Sequence, residues 1–119
     1  MRDEIMWWMS RLTIMLTSLF LSFSLAAQAY ATEVTMGSNG NLVFEPNDIT
    51  INAGDTVTFT NGALPPHNMI VKDHPELSHG DLAFATGDSF DVTFPDAGDF
   101  EFQCDPHAGA GMKGVIHVQ

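Results

Sequence analysis

Cys104, His107 and Met112 stand together in the stretch "CDPHAGAGM", at a C-x2-H-x4-M spacing, and Cys104 is the only cysteine of the 119-residue chain. A thiol, an imidazole and a thioether are soft or borderline donors, so three of them in one short loop suit a metal ion. Pro106 and the small residues Gly109, Ala110 and Gly111 allow a loop of this length to turn all three side chains toward one point. A fourth donor has to come from elsewhere, and His67 in "PPHNM" lies at the start of a different predicted strand. Opposed strands of a sandwich can bring such a strand end against the 104–112 loop.

Donor softness narrows the metal. Two His and one Cys with a weak, distant Met describe a blue-copper electron-transfer site. Structural zinc takes four stronger ligands and catalytic zinc keeps a position open for water, so Met112 suits neither. Singly, each residue has an ordinary explanation: a lone Cys is commonly buried, a Met in a Gly-rich turn packs, and a His after two prolines sits at a surface. The ordered set is what favours a metal. His74 and His79 fall in an acidic stretch and His117 alternates outward from Ile116 and Val118, which marks all three as non-ligands. A Cys–His nucleophilic pair is the enzyme alternative, but it requires an orienting third group and a cleft, and it leaves Met112 without a role.

The lone thiol has to be weighed against the compartment. Leu12 to Ala29 is uncharged and mostly apolar and runs into the small-residue pattern "AYA" at 29–31. This predicts a secretory signal peptide over residues 1–31, rather than a membrane anchor, with a single domain at 32–119. Arg2 and Arg11 are offset by Asp3 and Glu4, whereas initiation at Met9 would give a more usual positive start. Without residues 1–31 the chain keeps 13 acidic side chains against two basic ones, Lys72 and Lys113, and the net charge stays at −11. Such a surface disfavours nucleic acid and anionic lipid and favours an electropositive protein partner. An exported domain with one cysteine has no internal disulfide, so Cys104 is an inert thiol, a cross-link, a nucleophile or a ligand.

The elements that must position these residues are short and β-prone. "EVTM", "NLVFE", "DITIN", "DTVTFT", "HNMIVK", "SFDVTF", "DFEFQC" and "GVIHV" are separated by turn signals such as "NAGD" and "PDAGD", which predicts an all-β sandwich or barrel of about eight strands. Alternation puts Val57 with Phe59, Phe90 with Val92 and Phe94, and Phe100 with Phe102 and Cys104 on inward faces. Cys104 is thereby predicted to end a core-facing row. The pattern fades over "HPELSHGDLAFATGD", which reads as a loop with one helical turn around 75–78.

These residues resemble the plastocyanins, small blue-copper carriers of the cupredoxin class. The matching pieces are "MGSNGNLVFEP", "AGDTVTF", "PHN", "DLAF", "GDSF" and "CDPHAGAGMKGVIHV", in the same order and over nearly all of residues 32–119. The resemblance implies an eight-stranded Greek-key β-sandwich, a monomer and one copper ion, held by His67, Cys104 and His107 with Met112 as a weak axial ligand. It implies that Asn68 hydrogen-bonds across to the Cys104 loop. It also implies that Leu42, Pro66, Ala108, Gly109, Ala110 and Gly111 form an apolar docking patch around the edge of His107.

The function so implied is one-electron shuttling by a Cu(II)/Cu(I) couple, without enzymatic chemistry, from cytochrome f of the cytochrome b6f complex to photosystem I in the thylakoid lumen. Gln103 stands where relatives carry a tyrosine used in a second electron route, and Ala108 stands where many cyanobacterial relatives carry an arginine. A pseudoazurin-like periplasmic carrier is the nearest alternative, but its partner surface is ringed with lysines and only Lys72 and Lys113 are present here. A copper storage or delivery protein would show more Met and His donors at an exposed site.

Overall fold

The computed structural model describes residues 31–119; the predicted signal peptide at 1–31 lies, but for its last residue, outside the described residues. Nine strands follow one another: β1 Thr32–Ser38, β2 Asn41–Glu45, β3 Asp48–Ile51, β4 Thr56–Asn61, β5 His67–Val71, β6 His79–Ala83, β7 Ser89–Thr93, β8 Gly98–Gln103 and β9 Lys113–Val118. They form two sheets, of order β2-β1-β4-β7 and β3-β9-β8-β5-β6. The β1–β4 and β3–β9 pairings are parallel and the others antiparallel.

Eight of these strands are the expected ones. The ninth, β6, falls within the segment expected to be a loop, and it follows the anticipated helical turn, a 3-10 turn at Pro75–Leu77. Its residues 80–82 are exposed and only its ends are half-buried, so no alternation marks it. What makes it a strand is backbone pairing with β5. Among the described residues no helix is long and apolar enough to cross a membrane.

Period-two patterning does place the core. Val57, Phe59, Phe94, Phe102 and Cys104 are all buried, while Thr56 and Thr58 on the opposite face of β4 bond across to Thr93 and Asp91 at 2.8 and 2.7 Å. Phe44 of β2 and Phe59 of β4 meet Phe102 of β8 edge to face, with centroids 4.7 and 5.8 Å from it, so one aromatic cluster joins the two sheets. Edge-to-face pairs of this kind add about 0.5–1.5 kcal/mol each beyond area burial. Cys104 follows Phe102 in the same inward row and therefore rises directly from this packed aromatic cluster.

His67 reaches the Cys104 loop by a different route from the one expected. β5 does not oppose β8 across the sandwich; the two are hydrogen-bonded neighbours in one sheet, with Val71 opposite Phe102 and Ile70 opposite Gln103. Running this antiparallel register onward brings the start of β5 beside the end of β8, which puts His67 and Cys104 at the same end of the sheet.

Candidate metal centre

The loop after β8 is closed by its own backbone. Asp105–Ala110 forms a 3-10 turn with Pro106 in its first turn, and Gly111 ends it in the left-handed region at φ 86°. That conformation suits glycine and reverses the chain. Met112 then donates its N–H to His107 O at 3.3 Å and accepts from the Cys104 N–H at 3.1 Å. The small residues of "HAGAGM" thus let Met112 return to the level of Cys104, where its side chain is fully buried.

Three side chains converge. Cys104 Sγ lies 3.8 Å from His67 Nδ1 and 3.6 Å from His107 Nδ1, and the three atoms all lie within 4.8 Å of one another. His67 Nε2 is 2.7 Å from the Ala63 carbonyl oxygen. A carbonyl can only accept, so Nε2 carries the proton and Nδ1 is left as a bare lone pair beside the sulfur, the form in which imidazole binds a metal. His67 and Cys104 are fully buried, whereas His107 is half-exposed at the surface of the same cluster.

The electrostatics follow from this placement. Burial pushes the Cys104 thiol above its ordinary range, opposed by the backbone amides of Asn68 and His107 and reinforced by the charge of Asp105. Burial lowers the pKa of His107, and the proximity of His67 adds to this, which favours the neutral ring. A buried thiol faced by the Nδ1 atoms of two imidazoles can bind a cation by giving up its proton, and metal uptake is then coupled to proton release. Two imidazole nitrogens and one sulfur, with a thioether-bearing residue on the same closed loop, are a donor set that fits copper.

Asn68 ties the loop to the sheet. Its Oδ1 accepts from the Asp105 N–H at 2.9 Å, and its Nδ2 donates to Gly80 O at 3.1 Å. Leu42, Pro66 and Ala108 are half-buried, and Gly109, Ala110 and Gly111 are exposed. Leu64, at 49% exposure, and Phe84, at 66%, are apolar residues at the same end of the molecule that residue spacing did not single out. Leu64 lies three residues before His67, and Phe84 directly follows Ala83, which pairs with His67. An isolated exposed apolar residue is too common to be a signal by itself.

His74, His79 and His117 lie outside the cluster. His74 bonds Glu76 at 2.8 Å, His79 stacks on Phe90 with centroids 3.8 Å apart, and His117 sits between Asp48 and Asp99.

A family described as copper binding proteins, plastocyanin/azurin family, matches residues 30–119. The chain belongs to this family. It is 44% identical over 106 residues to the chloroplastic plastocyanin of Tetradesmus obliquus, covering 82% of this chain and 73% of that one. Against the plastocyanin of Scenedesmus fuscus the identity is 48% over 96 residues, covering 72% and 97%. Among solved structures, the oxidised plastocyanin of Dryopteris crassirhizoma superposes with a TM-score of 0.66 at 30% identity, over 74% of this chain and all of that one. The reduced form of a mutant amicyanin, at 22% identity and a TM-score of 0.61 over 79% of this chain and 87% of that one, shares the fold. As a member of this plastocyanin/azurin family the protein is a cupredoxin that binds one copper ion and carries electrons, and it is not an enzyme.

Proposed function

We propose that His67 Nδ1, Cys104 Sγ and His107 Nδ1, with Met112 as the weak fourth donor, hold the copper, and that the protein carries single electrons from cytochrome f to photosystem I in the thylakoid lumen. The observation that carries the ligand assignment is the convergence of these three donor atoms around a sulfur that two histidines face with Nδ1. Bound there, copper supplies a one-electron Cu(II)/Cu(I) couple.

The chain's own residues account for the rest. Burial keeps water from Cys104 and His67, and the closed 104–112 loop holds Cys104, His107 and Met112 in one arrangement, so little has to move when the charge at the site changes by one. With four protein donors no position is left for a substrate, which makes this a site for electron transfer. His107 is the donor that reaches the surface, and Pro66, Ala108, Gly109, Ala110 and Gly111, together with Leu42, are the proposed apolar docking face for partners at its edge. Exposed Leu64 and Phe84, close in sequence to His67 and to its pairing partner Ala83, are proposed to extend it. Over residues 32–119, thirteen acidic residues against Lys72 and Lys113 favour electropositive partners and make encounter sensitive to salt.

The chloroplastic plastocyanins among the relatives support the lumenal setting. The predicted signal peptide over 1–31 accords with export to that compartment.

Two measurements test the reading. Adding Cu(II) to the purified protein is expected to give an intense blue colour that ascorbate bleaches and ferricyanide restores; a pale complex overturns the thiolate site. Flash spectroscopy is expected to show reduction by cytochrome f and oxidation by photosystem I, at rates that fall with ionic strength. Failure of both partners to react, in a protein that is blue, overturns the partner assignment alone.

A further inference from the structure

Asn61 is a buried polar residue outside the donor set, at 1% exposure. Its Nδ2 donates to two carbonyls, Ala83 O at 3.1 Å and Ala85 O at 3.0 Å, while its Oδ1 has no partner among the described residues. A buried oxygen left unpaired costs stability, so something must require the amide group at this place.

The surrounding bonds indicate what. Asn61 N–H donates to Asp88 O at 2.7 Å, and Asn61 O accepts from the Gly87 N–H at 2.8 Å. Thr86 Oγ1 donates to Gly62 O at 3.1 Å. On the other side Gly62 and Ala63 donate to Met36 O and Gly37 O at 2.8 and 2.9 Å. Residues 61–63 are therefore fixed between the end of β1 and the 83–88 loop, and the carbonyl presented at their end is Ala63 O, the acceptor for His67 Nε2.

Gly37 makes the close approach possible. It stands at φ 81°, and a Cβ there would overlap Ala63 O and come within 2.8 Å of His67 Nε2. Gly62 faces it in the same way, since a Cβ at Gly62 would overlap Gly37 O. Two glycines back to back thus allow two backbones to meet behind the His67 ring.

We propose that Asn61 and Gly37 are positioning residues for copper, clamping the Ala63 carbonyl against His67 Nε2 so that the ring keeps Nδ1 turned to the metal in one orientation. This rests on His67 being a ligand. The clamp acts through the carbonyl and not through contact with the ion, in the way that outer bonds commonly orient a ligating histidine. The bonds that make the clamp, from Met36 and Gly37 on one side and from the end of β6 and the 84–88 loop on the other, all join protein groups, so the clamp orients His67 without the metal.

NMR of the apoprotein and of the Cu(I) form tests this through solvent exchange of the His67 Nε2 proton, with the core amide of Phe59 as reference. The wild-type proton is expected to exchange slowly even without copper. In Asn61→Ala it is expected to exchange about tenfold faster, the factor corresponding to one ordinary hydrogen bond, with a smaller change at Phe59. The blue absorption and the reduction potential of that variant are expected to shift, while Asn41→Ala, which removes only an exposed bond to Asn39 O, leaves both unchanged. Gly37→Ala is expected to lose the protected proton altogether. Rapid exchange in the wild type overturns the clamp without any variant. Equal acceleration at His67 and Phe59 in Asn61→Ala also overturns it, because Asn61 would then act only through global stability. A wild type that stays colourless with Cu(II) defeats the ligand assignment instead, and the apoprotein exchange rate still decides the clamp.

Discussion

Replacing Asn68 by alanine removes the one side chain that bonds β5 both to the Cys104 loop and to β6. Two hydrogen bonds are lost, from the Asp105 N–H at 2.9 Å and to Gly80 O at 3.1 Å. Asp105 and Gly80 are both exposed residues and the two bonds are only part-buried, so the full penalty of a buried unpaired group does not apply. Each bond then counts at its net value of about 1 kcal/mol, giving a loss of about 2 kcal/mol. For a domain of this size each kcal/mol moves the melting temperature by about 4–8 °C, so the apoprotein of Asn68→Ala is expected to melt about 8–16 °C lower.

The assay is thermal unfolding of the metal-free protein followed by circular dichroism, with hydrogen exchange at the Asp105 amide measured below the transition. Asn68→Asp sharpens it. The carboxylate still accepts from the Asp105 N–H but faces Gly80 O with an oxygen in place of a donor, so the Asp105 amide stays protected while the melting temperature still falls. A melting temperature within about 3 °C of the wild type for Asn68→Ala, or an Asp105 amide that exchanges no faster, would refute the idea that Asn68 holds the loop.

Cys104→Ser is expected to abolish the blue colour while leaving the circular dichroism of the β fold in place; a retained blue band would show that the sulfur is not a ligand. Met112→Leu is expected to keep copper and raise the reduction potential, since a donor that favours Cu(II) is removed, and voltammetry giving a lower potential would count against the axial role. His117 lies 2.7 Å from Asp99 and 3.1 Å from Asp48, and the bond to Asp99 leads in raising its pKa above the ordinary 6.5. The protonated ring is thus favoured in the folded state, so its contribution is complete below about pH 6.5 and is lost as pH rises through the elevated folded value. His117→Gln should accordingly narrow the stability difference between pH 6 and pH 9 in urea unfolding, and a difference equal to that of the wild type would rule this out.

The parts of the fold that sequence made legible are those in which burial is one-sided. In β4 and β8 the inward row and the outward row differ in residue type, so Val57, Phe59, Phe100, Phe102 and Cys104 could be placed by alternation alone. β6 carries no such contrast: Gly80, Asp81 and Leu82 are exposed, and only pairing with β5 orders them. The neighbourhood of β5 and β8 was hidden for a related reason. Both strands have buried residues, and burial says that a strand faces the core without saying which strand lies beside it.

The two histidines divide along the same line. His107 is tied to Cys104 by three residues of chain and a 3-10 turn, so spacing places its ring near the sulfur. His67 is 37 residues from Cys104, and its orientation comes from the Ala63 carbonyl, a group that every residue possesses and no residue type announces. The visible trace of that contact is indirect: glycine at 37, where any larger residue would occupy the space in which the carbonyl meets the ring, and glycine at 62, where it would overlap Gly37 O. Glycines at turns are too common to be read in this way from sequence, and only the crossing of the two backbones behind His67 distinguishes these from the rest. Donor identity is therefore written in side chains, while donor direction is held in backbone contacts between distant segments. Substitutions that spare every donor but alter those contacts should be the ones that change the character of the copper site without emptying it.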